Sequence, residues 1–170
     1  MSERIAPLGR DELLALIREA FADVQRGSGV SLREARAIDD HATGAQRLAA
    51  RQKDADTHWG QVPDADIAEH DAVFSFMDLR GHQYYAPAYM SWLVRQGYDT
   101  SSNSVETAQF AFDPWGKVEG GQHLRPHEMF TPAQCACIAR YLQYVAEVLD
   151  EGSEGSTAGD YLRTYWSRYL

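Results

Sequence analysis

Behind Thr131-Pro132, the apolar residues Cys135, Ile138, Leu142, Val145 and Leu149 recur at steps of 3, 4, 3 and 4. That spacing returns each side chain to one face of an α-helix. Threonine followed by proline is also a helix start. The hydroxyl caps a free amide, and proline lacks an N–H that the first turn would leave unpaired anyway. A stripe this regular has to be buried, so the chain must build a helical core against residues 132–149. A second stripe, Leu13, Leu14, Ile17, Phe21 and Val24, gives a helix over residues 11–25 that stops at Gly27-Ser28-Gly29.

The rest of the chain reads as shorter helical pieces. Ser31 and Glu34 form a capping box, and the helix they open runs to about Ala42. A very polar helix follows over residues 45–56, and Asp64 caps a short one that ends near His70. Pro87 suits the first turn of a helix that ends at Gln96, before Gly97. The dense apolar run over residues 72–77, with the turn-like Asp78-Leu79-Arg80-Gly81 behind it, suits a small two-stranded element near residues 73–86, or a buried crossover with a turn. The expected fold is mainly all-α: an irregular single-domain helical bundle over residues 1–150. Residues 151–159 have the composition of an acidic Gly/Ser linker. Residues 160–170 form an amphipathic helix with Tyr161, Tyr165 and Tyr169 in one row and Leu162, Trp166 and Leu170 beside it. A helix this short is not stable alone. It must dock on its own domain, or on a second copy to give a homo-oligomer.

Several segments together are distinctive: Ser31-Leu32-Arg33-Glu34-Ala35, Trp59-Gly60-Gln61-Val62-Pro63, Phe74-Ser75-Phe76-Met77-Asp78, Tyr84-Tyr85-Ala86-Pro87-Ala88-Tyr89-Met90 and Phe130-Thr131-Pro132-Ala133-Gln134. Over residues 11–149 the chain resembles the domain of unknown function 6714. The resemblance implies a compact, mainly helical bacterial cytoplasmic domain and implies no activity. It places an apolar aromatic where this chain has His82, and an arginine where it has Gln83.

Charge narrows the function. The chain carries 16 Lys plus Arg against 25 Asp plus Glu, a net −9 with histidine neutral. A nucleic-acid binder needs clustered positive charge, and so does docking on anionic lipid, so neither partner is expected. No run approaches the roughly 18–20 apolar residues that cross a bilayer. The first ten residues lack the apolar core of a secretory signal, and two cysteines build no disulfide framework, so a cytoplasmic location is expected. No phosphate-binding glycine loop and no nucleophile-elbow serine is present, and no cofactor or metal is expected.

Two constellations remain. Residues 61–78 hold five acids, Asp64, Asp66, Glu69, Asp71 and Asp78, and no base. Next to them stand Tyr84, Tyr85, Tyr89 and Trp92, residue types favoured at binding surfaces. An acidic rim formed by Asp64, Asp66, Glu69 and Asp71 beside these aromatic anchors would suit a basic protein partner. The expected function is therefore a non-enzymatic protein-interaction domain, the immunity type that neutralises a toxin included. The alternative is a small hydrolase or metal-assisted enzyme centred on His70, Asp71, Asp78 and His82, since histidine with carboxylates supplies acid–base or metal chemistry.

Overall fold

The computed structural model describes residues 4–170. The chain is mainly helical, as its periodicity predicts. In order the helices are α1 (Arg10–Ala20), α2 (Leu32–Asp39), α3 (Gly44–Arg51), α4 (Asp64–Glu69), α5 (Leu79–Gln96), α6 (Ser104–Phe110), α7 (Pro126–Met129), α8 (Pro132–Tyr144) and α9 (Thr157–Thr164). Strands β1 (Lys117–Glu119) and β2 (Gln122–Leu124) pair antiparallel around Gly120-Gly121. The small two-stranded element thus exists, but it lies at 117–124 and not near 73–86. Residues Val73–Ser75 form a single 3₁₀ turn, and the expected turn Asp78-Gly81 is the beginning of α5.

Two long helices, α5 and α8, form the centre. Helix α1 lies against both, and α4 and α6 flank α5. Helix α5 starts eight residues before Pro87 because Asp78 provides its cap. One carboxylate oxygen accepts from the Gly81 amide at 2.9 Å and from the Val30 amide at 2.8 Å. Pro87 then sits inside the helix and removes the bond to the Gln83 carbonyl. The loop before α2 lies so close to α5 that a Cβ on Gly81 would stand 2.5 Å from the Val30 carbonyl oxygen. Only glycine fits there.

Thr131 caps α8 as its sequence indicates, and Cys135, Ile138, Leu142 and Val145 are all buried. The α-helix ends at Tyr144 and loosens into a π turn, Val145–Leu149, where the Asp150 amide bonds the Val145 carbonyl. Cys137 points away from that stripe yet is also buried, because α1 covers one side of α8 and the tail another.

The tail is part of the core. Helix α9 begins at Ser156, whose hydroxyl accepts from the Gly159 amide, so the linker is shorter than its composition suggests. The expected continuous helix over residues 160–170 breaks at Tyr165 into a 3₁₀ turn, Trp166–Tyr169. That break turns Trp166 inward. Its ring is fully buried, its indole N–H donates to the Phe112 carbonyl at 2.9 Å, and it meets the Phe112 ring edge-on at 6.3 Å. Tyr165 is buried too, with its hydroxyl 2.9 Å from His127 Nδ1. Both rings are used within the chain, so this part of the tail docks on its own domain. We expect Trp166→Ala to lower the unfolding free energy by about 3–5 kcal/mol, read from urea denaturation.

Candidate functional site

The four residues of the hydrolase alternative do not converge. His70 Nδ1 donates to the Asp66 carbonyl at 2.7 Å, within the last turn of α4. Asp71 accepts from Arg36 at 3.3 Å and from the Asn103 amide at 3.2 Å. Asp78 is occupied as the α5 cap, and His82 donates from Nε2 to the Ala111 carbonyl at 2.7 Å. Each has a separate structural task and none shares a partner with another. Among the described residues no three His, Cys, Asp or Glu side chains are grouped to hold a metal ion.

The aromatic anchors are core rather than surface. Tyr84, Tyr85, Tyr89 and Trp92 are each no more than 1% exposed. Helices α1, α4 and α6 and the Trp59–Gln61 turn cover α5, leaving it no aromatic face for a partner. The phenol tips find partners inside: Tyr84 donates to Asp56 at 2.7 Å, Tyr85 accepts from Arg26 at 2.8 Å, and Tyr89 donates to the His70 carbonyl at 2.5 Å. Burial drives all three phenol pKa values up, so they stay protonated.

The acidic rim is largely neutralised at short range. Arg95 pairs with Asp64 at 2.5 Å, Arg33 with Asp66 at 2.9 Å, and Arg36 with Asp71 at 3.3 Å. Arg36 also donates to the Glu69 backbone carbonyl, while the Glu69 side chain is exposed without an ion pair among the described residues. Three arginines from outside residues 61–78 therefore counter the charge run, and a count of acids along that segment does not reveal them.

The unsatisfied surface lies elsewhere, around the end of α6. A cavity of about 390 Å³, open to solvent, is lined by Phe74, His82, Thr107, Phe110, Asp113 and Lys117 among others. Phe110 and Val118 in its lining stand 54% and 64% exposed, and Trp115, next to Gly116, stands 63% exposed. On the other side of Phe110 a groove of about 290 Å³ runs past Asp71, Ala72, Asn103, Glu106 and Thr107. A smaller hollow between Phe110, Glu106, Gln109 and Thr157 extends it towards the acidic tail loop.

Local chemistry holds this region open. Ala72 takes a left-handed backbone (φ 58°), which costs an L-residue about 1–2 kcal/mol. The strain is held by the Ala72 amide donating to the Thr107 hydroxyl at 3.1 Å. Across the cavity Lys117 donates to the Phe74 carbonyl at 3.1 Å. Gly116 (φ 81°) lets the hairpin close, since a Cβ there would fall 2.0 Å from the Leu124 carbonyl oxygen. Trp115 stacks on His123 across the hairpin, ring centres 4.4 Å apart. Burial lowers the Lys117 pKa, against the raising effect of Glu119 and Asp78. Burial also lowers His82, to about 3, and the Lys117 charge adds to it. His82 is thus neutral near pH 7. Its Nε2 carries the proton given to Ala111, and its Nδ1 is a bare acceptor with no partner among the described residues. The sequence marked His82 but neither Lys117 nor Phe110, because only the fold brings α6 and the hairpin beside α5.

The cysteines offer no nucleophile. Burial raises Cys135 to about 11 and Cys137 to about 12, so neither is a thiolate near pH 7.

A family model described as Family of unknown function (DUF6714) matches residues 9–170. The chain belongs to this family. The DUF6714 match runs past the 11–149 of the sequence resemblance and takes in the tail, the segment that puts Trp166 into the core. No curated protein and no solved structure matches the chain.

The His82 geometry has a pH consequence. Its folded pKa, about 3, lies below the ordinary 6.5, so its stabilising contribution is full above pH 6.5 and is lost as pH falls towards 3. The His82 contribution to the slope approaches about 1.4 kcal/mol per pH unit in that window. Urea denaturation across that range checks the slope against His82→Phe. Imidazole ¹⁵N shifts check that the ring remains the neutral Nε2–H form down to about pH 4.

Proposed function

We propose that the protein is a non-enzymatic protein-interaction domain that takes a basic partner segment in the groove beside Phe110. The observation that carries this reading is an exposed apolar pair, Phe110 and Val118, at one opening, with Phe110 also walling the groove and the carboxylates of Glu106 and Asp113 beside them. Large exposed apolar groups that lie together mark interaction sites more often than scattered ones do. Glu106 and Asp113 are exposed and form no salt bridge among the described residues. Residues 97–116 hold three acids and no base. In residues 141–162, Glu147 and Asp160 pair with Arg4 and Arg163 and Asp150 accepts from Tyr98 and Ser156, while Glu151 and Glu154 are exposed and form no salt bridge among the described residues. The hollow beside the groove reaches Thr157, at the end of that loop. A partner bringing an apolar side chain flanked by lysine or arginine would bury its apolar group on Phe110 and meet carboxylates on both sides. Neutralising a basic toxin is one function of this kind.

The test uses defined peptides. An array of short peptides with a central Leu or Phe flanked by Lys or Arg is compared with the same peptides carrying Glu instead. We expect micromolar, salt-sensitive binding of the basic set alone, weakened at least about tenfold by Phe110→Asp and by Glu106→Lys. Equal binding of acidic and basic peptides, or full affinity in Phe110→Asp, would overturn the reading.

A further inference from the structure

The cavity on the hairpin side of Phe110 differs in chemistry from the groove and supports a second, independent inference. Its volume, about 390 Å³, falls within the roughly 300–1,000 Å³ of small-ligand sites. Two polar groups in its lining have unused capacity. The Lys117 ammonium spends one of its three donors on the Phe74 carbonyl, leaving two. The exposed Asp113 carboxylate accepts from the Trp115 amide at 2.9 Å and forms no ion pair among the described residues. The rings of Phe74 and Phe110 add apolar wall.

This set of groups has a definite complement. One cation and one anion call for a ligand with a carboxylate and an ammonium. A simple carboxylate would satisfy Lys117 and leave Asp113 unmatched. A simple amine would face the Lys117 charge. A phosphate ester would bring about two negative charges to a single lysine on a chain of net charge −9. A zwitterion has no net charge and matches both groups.

We propose that the cavity binds a free α-amino acid, its carboxylate on Lys117, its ammonium on Asp113, and its side chain against Phe74 and Phe110. The variants that probe the site are Lys117→Met and Asp113→Asn, on the hairpin and the loop leading to it.

The test is isothermal calorimetry of the full chain with each of the twenty L-amino acids, with L-lactate, acetate and methylamine as comparison ligands. We expect at least one amino acid to saturate the protein with Kd below about 1 mM. Lactate, acetate and methylamine should each bind at least about tenfold more weakly than that amino acid. Lys117→Met and Asp113→Asn should each weaken it by a similar factor, with unfolding midpoints close to that of the parent chain. Failure of every amino acid to saturate the protein with Kd below about 1 mM would overturn the inference. So would lactate equalling the best amino acid, or unchanged affinity in both variants. Selective binding of basic peptides without amino-acid binding would sink this inference alone. Amino-acid binding without peptide selectivity would leave it standing and sink the interaction reading.

Discussion

Helix α5 is buried along most of its length, and the rest of the molecule is arranged to make that tolerable. A helix carrying three tyrosines and a tryptophan brings large apolar area into the core together with polar tips that must be satisfied there. Asp56 and Arg26 take up Tyr84 and Tyr85, and the His70 carbonyl takes up Tyr89. Arg33 then binds Asp54 at 2.7 Å and Asp66 at 2.9 Å, and so ties the segment carrying Asp54 and Asp56 to α2 and α4. The polar partners are therefore held by ion pairs of their own. Two polar atoms of α5 are left without a partner among the described residues, Nε1 of Trp92 and Nδ1 of His82. Only His82 lines a cavity that opens to solvent.

Much of the fold was legible in the sequence, and the reasons are local. Helices α1, α2 and α8 combine a cap signal or a regular apolar stripe with a stop, and these depend on neighbouring residues only. The misreadings have one cause: a local pattern was overridden by a distant contact. Asp78-Gly81 looks like a turn until Asp78 is seen to bind the Val30 amide and Gly81 to touch the Val30 carbonyl. Trp115 and Val118, spaced across Gly116, show nothing in sequence of the hairpin that Gly120-Gly121 closes. The tail's amphipathic pattern gave its need to dock, but not the break at Tyr165 that turns Trp166 onto Phe112.

The candidate site was less legible than the fold. Composition pointed to an acidic protein with tyrosine and tryptophan as anchors, but the structure separates those two signals. The rings went inward, because α5 is central, and the acids near them met arginines. What stays exposed without an ion pair is Phe110 and Val118 with carboxylates on α6, the loop before the hairpin and the distant tail loop. His82 was noticed for its nearness to carboxylates. Its importance comes instead from a backbone carbonyl on one nitrogen and nothing on the other.

The placement of the α5 tyrosines inside the core is the claim on which the relocated surface depends. An alkaline titration of ¹³Cζ-tyrosine-labelled protein tests it directly, because each phenol reports its own ionisation. The account requires Tyr84, Tyr85 and Tyr89 to keep protonated shifts well above pH 10 for as long as the protein remains folded, each being pushed up by burial. Ionisation of these three in the folded protein near the ordinary value of 10 would place them in solvent and contradict it.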